Sequence, residues 1–153
     1  TPEETAVLSA AGGNTADRTA GVLVAVFAVL VIVAIVGILA AIAIPNLLTA
    51  MQRSRQVRTI ADMRVTAQSV EQYRQANSKL PDSIAAKKDA WGNDLRYASD
   101  GTNYWIVSAG KDGRFEEQDV TQYQAGTTTN FDDDLVMENG ELRRGPRALG
   151  VRP

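Results

Sequence analysis

The chain contains no cysteine and no histidine. Those absences remove disulfides, thiol nucleophiles, imidazole acid–base catalysis and most zinc or haem ligation. The missing cysteine leaves the compartment open, because a Cys-free chain fits an oxidising or a reducing one equally well. The sequence also offers no Ser–Lys arrangement and no Gly-rich phosphate loop to accompany its carboxylates. No catalytic constellation can be built from what remains, so an enzyme with a small-molecule substrate is not expected.

Charge is missing too, but only locally. From Thr19 to Gln52 there is no Asp, Glu, Lys or Arg, and Ala20 to Ile44 is nearly all Ala, Val, Ile and Leu. At about 1.5 Å per helical residue, a core of 25 residues reaches roughly 38 Å, enough to cross a bilayer with some tilt. A buried helix of a small soluble domain would keep a polar face, and this run has none. A cleavable signal peptide fits less well. Glu3, Glu4, Asp17 and Arg18 make the preceding segment slightly acidic, whereas signal peptides start basic and carry a shorter apolar stretch. Thr1 as first residue suggests a processed or truncated chain. Beyond the run, acidic and basic residues balance, which gives no reason to expect nucleic acid as a partner.

What is present divides the chain into four parts. Residues 1–19, rich in Ala, Gly, Thr and Ser, read as a flexible tail. Residues 20–45 form the transmembrane helix, and Pro45 should kink it. Val57, Ile60, Met63, Ala67, Val70 and Tyr73 then recur at three- and four-residue steps, which predicts an amphipathic continuation to about Asn77. Its partner should be a small antiparallel sheet. Asp94–Ala98 and Asn103–Ala109 flank the turn Ser99-Asp100-Gly101-Thr102, and Asp134–Met137 and Glu141–Arg143 flank Asn139-Gly140. Between the two hairpins lies an acidic loop, roughly 110–131, and residues 145–153 read as a tail. The expected fold class is therefore α+β: one long helix packed on a sheet, with residues 46–144 as the domain.

The string Val36-Gly37-Ile38-Leu39-Ala40-Ala41-Ile42-Ala43-Ile44-Pro45-Asn46-Leu47 resembles the N-terminal helix of type IV pilins and type II secretion pseudopilins. Asp89-Ala90-Trp91-Gly92-Asn93, followed by Tyr104 to Gly113, resembles the Asp-Pro-Trp-Gly turn, meander and Ser-x-Gly-x-Asp-Gly loop of the major pseudopilin, with Ala90 in place of the proline. Phe131-Asp132-Asp133-Asp134-Leu135-Val136 resembles that family's Asp-Asp-Ile-Val strand. The resemblance implies a subunit anchored in the bacterial inner membrane that packs into a fibre core. It also implies a calcium site in the loop, from backbone carbonyls near Ser108 and from Asp112 and Asp132 or Asp133. A solvated acidic loop is the alternative, and the spacing is not that of an EF-hand.

Two departures separate this chain from the family pattern. The cleavage pair before the helix falls on Leu23-Val24, and the position of the family's helix glutamate holds Ala28. A non-polymerising accessory subunit docked on a larger membrane complex is therefore expected as the alternative to a polymerising one. Small residues in the span, among them Gly21, Ala28, Gly37 and Ala41, suit close helix–helix approach in either case. Trp91, Gly92 and Trp105 read as packing residues. Arg53, Arg55, Arg58 and Arg64 follow the span and read as a solvated face or a grip on anionic headgroups. Their number places the domain in the cytoplasm by the positive-inside count, whereas the resemblance places it outside the membrane. The expected location of the domain is that of the resemblance, on the extracytoplasmic side.

Overall fold

The computed structural model describes residues 2–149 and separates into two compact units that meet in sequence between Leu48 and Thr49. One helix, α1 (Pro2–Asn77), enters both units. Among the described residues of the first unit it is the only element, and it is unbroken through Pro45, which contributes no N–H to the helical ladder. The helix covers residues 2–19, where composition suggested a tail. Propagating an already nucleated helix through Ala6, Ala10, Ala11 and Ala16 is nearly neutral, whereas starting a new one is not.

In the second unit α1 ends as the sequence indicates. Asn77 is its last residue and Ser78 takes a positive φ of 54°, closing the helix before Pro81. Five short strands follow: β1 (Arg96–Ser99), β2 (Tyr104–Ser108), β3 (Gly126–Thr127), β4 (Leu135–Glu138) and β5 (Glu141–Gly145). They form one sheet in the order β1-β2-β4-β5-β3. Both expected hairpins are present, each within two residues of its expected bounds. Asn139 and Gly140 adopt φ of 51° and 81°, the left-handed pair that a two-residue hairpin with the right strand twist requires. The Asn139 side chain also accepts a hydrogen bond from the Tyr104 amide, tying that turn to β2.

The sheet is mixed rather than antiparallel, because β3 lies parallel to β5. Its two residues come from the loop between the hairpins, where no alternating pattern marks a strand. The expected C-terminal tail is likewise structured in part: Gly145 closes β5, and Arg147–Leu149 form a turn of 3-10 helix anchored by Arg64, which donates to the Leu149 carbonyl. The last four residues of that tail lie outside the described residues.

Register explains where the core sits. Tyr97, Ile106, Met137 and Leu142 occupy one cross-strand row from β1 to β5. With Tyr104 and Leu135 they face Ile60, Met63, Ala67 and Val70 of α1. Alternation along β2 and β4 sends Trp105, Val107 and Val136 to the opposite face. There they are covered by Phe115, Val120 and Tyr123, so the acidic loop is a third layer over the sheet. The helix stripe is narrower than its periodicity implies. Val57 and Tyr73 remain 44% and 38% exposed, while polar Gln56, Thr59 and Thr66 are buried beside it. Thr59 accepts the Ala90 amide and Thr66 donates to the Asp62 carbonyl, so both hydroxyls are paired.

Met63→Ala should therefore lower unfolding stability by about 2–5 kcal/mol, as for other buried large-to-small changes. Val57→Ala should stay within about 0.5 kcal/mol. Urea unfolding of the detergent-solubilised chain, read by tryptophan fluorescence, checks both, and equal losses would place Val57 in the core.

Candidate functional site

Two features stand apart from the packed domain: the bare apolar half of α1 and the polar junction between the Asp89 turn and the acidic loop. The first follows directly from sequence. Within residues 16–77 the helix contains a stretch long and apolar enough to cross a membrane, and none of that stretch is buried by the rest of the chain. The small residues expected to pack against other helices all lie in this part of the helix. Gly21, Ala28, Gly37 and Ala41 are exposed, and a Cβ added at Gly21 or Gly37 would meet nothing within 4 Å. Around Ala25 the small side chain leaves a shallow groove walled by Val26, Val29 and Leu30.

The second feature begins with Asp89, which is buried. Its Oδ1 accepts the amides of Trp91 and Asn93 at 2.9 Å each, and its Oδ2 accepts the Ser108 hydroxyl at 2.8 Å. Accepting from residues two and four ahead is the local habit of an Asx turn, and it curls Asp89–Asn93 tightly. Gly92 supplies the positive φ, 95°, that the turn needs. From this turn the Trp91 indole N–H donates to Gln52 at 2.8 Å, and Asn93 donates its side-chain amide to the Gly110 carbonyl at 2.8 Å. One carboxylate thus joins α1, the end of β2 and the start of the loop. Trp91 and Trp105 are partly buried packing residues, each on a different face of the sheet.

Gly110 is the second hinge of the junction. It has φ +63°, and a Cβ there would lie 2.8 Å from each of the carbonyl oxygens of Phe131, Asp132 and Asp133. The two ends of the acidic loop therefore press together, held by the Lys111 amide on the Phe131 carbonyl at 2.9 Å. This contact brings the segment carrying Asp112 beside the one carrying Asp132 and Asp133. The carboxylates themselves have local duties. Asp112 caps the Arg114 amide, and Asp133 caps the amides of Thr129 and Asn130. Ser108 is fully buried and its hydroxyl is engaged with Asp89 and the Gly110 amide. Any contribution from Ser108 to a cation would come from its carbonyl. Among the described residues, no three carboxylates gather as a metal cluster.

A further buried carboxylate, Asp134, was not singled out by sequence, where it reads as the last of an acidic triplet. It is fully buried. Its Oδ2 accepts the Tyr123 hydroxyl and the Glu116 amide, while its Oδ1 has no hydrogen-bond partner. Glu116 returns a bond to the Asp134 amide and pairs with Arg144 at 2.6 Å. Arg96 stacks 3.8 Å over Phe115 and donates to the Glu117 carbonyl. This network clamps the loop onto the outer face of the sheet. Burial pushes the Asp134 carboxyl above the ordinary carboxylate range, partly offset by the Tyr123 and Glu116 donors. Burial together with the Asp134 bond pushes the Tyr123 phenol up as well.

No family model, no curated protein and no solved structure matches the chain.

The Asp134 shift has a defined sign. A carboxyl whose folded pKa is raised binds its proton more tightly in the folded state, so stability falls as pH rises from the ordinary value through the raised one. Asp134→Asn should flatten that part of the pH–stability curve and change stability at neutral pH by no more than about 1 kcal/mol, because one amide oxygen can replace Oδ2. Asp134→Ala should cost about 2–4 kcal/mol by stranding the Tyr123 and Glu116 donors. Urea titrations from pH 4 to 8 check this, and identical pH slopes in wild type and Asp134→Asn would remove Asp134 as the origin.

Proposed function

We propose that the chain is a pseudopilin-like structural subunit of a type II secretion or type IV pilus-like assembly. In this reading it is anchored by α1 in a bacterial cytoplasmic membrane, with the α+β domain on the extracytoplasmic side. The observation that carries it is α1 itself. Its first half is bare and uncharged along the span, and its second half supplies the core stripe Ile60, Met63, Ala67 and Val70. A helix built this way anchors a domain with no linker between, and the bare half is covered by lipid and by other helices. Gly21, Ala25 and Ala28 follow i, i+4, i+7 spacing on one face. Gly37 and Ala41 begin nine residues after Ala28, roughly half a turn round the helix. Small residues on two faces suit a subunit with helical neighbours on two sides. The Asp89-x-Trp91-Gly92-Asn93 turn and the Ser108–Gly110 segment supply further support, because the two stretches that resemble the pseudopilin form one bonded unit.

One observation favours a second reading, a non-polymerising accessory subunit docked on a larger membrane complex. Ala28 stands exposed in the span where the resembling family carries a glutamate, so α1 lacks the charge that would neutralise a neighbour's terminus. Photo-crosslinking side chains placed singly at Ala25 and at Gly37 report the neighbours of each helix face in native membranes. Crosslinks between copies of this chain from both positions are expected for the assembly subunit. Crosslinks to a different protein alone would establish the accessory reading instead, and none to any protein would sink both.

The same reading extends to calcium between the two ends of the loop, held by Asp112, Asp132 or Asp133 and by carbonyls near Ser108. Support comes from the pressed-together segments at Gly110. Chelation should then lower the melting temperature of the full chain in detergent by several degrees, and Asp132→Ala should remove the dependence. A melt insensitive to chelator eliminates the ion.

A further inference from the structure

Arg53 is the first charged residue after the uncharged run that ends at Gln52. Beside it the domain has a cleft of about 390 Å³, within the roughly 300–1,000 Å³ range of small-ligand sites. Arg53 and Gln56 of α1 form one wall, Thr128, Asn130 and Phe131 of the loop form the second, and Arg147 of the 3-10 turn closes it. None of the lining residues is acidic. Among the described residues no carboxylate pairs with Arg53 or Arg147, whereas Arg58, Arg74, Arg143 and Arg144 each have one. Neither Asp132 nor Asp133, which follow this loop wall in sequence, lines the cleft, and Asp133 is turned to the amides of Thr129 and Asn130.

The cleft also holds an unmet hydrogen-bonding group. Thr128 is 8% exposed, its amide is fixed on the Gly145 carbonyl at 3.0 Å, and its hydroxyl has no partner. A buried hydroxyl without a partner is costly, and such groups in native proteins usually have a reason. Two unpaired guanidinium groups, a buried amide side chain and a spare hydroxyl around one cleft form a donor set for a phosphate. Guanidinium forks match phosphate oxygens in pairs, and Arg is the side chain best suited to that geometry.

We propose that this cleft binds the phosphate of an anionic phospholipid headgroup, gripped by Arg53 and Arg147 with Thr128 completing the set. The headgroup is favoured over a free anion by sequence position: the cleft is built on the turn of α1 that directly follows the uncharged run ending at Gln52, where a span emerges among lipid phosphates. Arg53 was visible in sequence as one of four basic residues. Arg147 and Thr128 were not, since only the chain's return along β5 and β3 brings them to α1.

Native mass spectrometry of the full chain in detergent, titrated with phosphatidylglycerol or phosphatidylcholine, tests the proposal. Phosphatidylglycerol should bind at least tenfold more tightly, and Arg53→Gln with Arg147→Gln should abolish that preference. Thr128→Val should weaken phosphatidylglycerol binding severalfold without lowering the melting temperature, which separates a binding role from a folding one. Lys111→Gln with Arg114→Gln removes the same charge elsewhere and should leave the preference intact. Equal loss in that control would show diffuse attraction and overturn the cleft as a site. Equal binding of the two lipids, or displacement of phosphatidylglycerol by low-millimolar inorganic phosphate, would overturn the headgroup as its ligand.

Discussion

Leaving a Val, Leu or Ile side chain in water instead of burying it costs roughly 1.5–3 kcal/mol. Along α1, the large apolar side chains from Val22 to Met51 remain between 41% and 69% exposed within their own chain. A contiguous apolar surface of this size is driven to associate with other apolar surface or with lipid, and monomeric soluble proteins rarely expose one. The medium that covers it is the condition for everything else, and lipid is the medium its length and lack of charge fit. The same helix continues without a break into the stripe on which the sheet packs, so the sheet is constrained to one face of it.

The domain meets that constraint with two polar joints of different kinds. Asp89 is a fully employed carboxylate: each oxygen is bonded, and the bonds reach both the helix side, through the turn it shapes, and the end of β2. Asp134 is partly employed, with one oxygen bonded twice and the other unpaired in the interior. The first joint holds the turn that packs against α1, and the second holds the loop that covers the outer face of the sheet. Burial raises the second carboxyl's affinity for its proton, so the bonds that hold the outer layer are coupled to the protonation of Asp134.

Most of the architecture was legible in sequence, and for identifiable reasons. The span is a composition signal, the Ile60–Met63–Ala67–Val70 stripe a period signal, and Asn139-Gly140 a turn signal, each set by residues near one another. The parts that were not legible depend on distant neighbours. Thr59 lies buried in the stripe because the Ala90 amide, 31 residues on, needs an acceptor. Strand β3 is two residues with no pattern, recruited by β5. Ser108, legible as a member of a loop motif, spends its hydroxyl on Asp89, a pairing 19 residues apart. Asp134 was hidden inside a run of three aspartates, of which the neighbouring Asp133 serves only local amides.

One continuous helix, α1, carries both the apolar stretch and the stripe that packs the domain. Amide hydrogen exchange of the full chain in lipid nanodiscs, resolved along α1, is the decisive test of that continuity. A continuous lipid-borne helix requires strong protection from about Val22 through Val70, including residues 46–56, where anchor passes into domain. Rapid exchange across residues 46–56, with protection on either side, would show an anchor and a domain joined by a flexible link and contradict it.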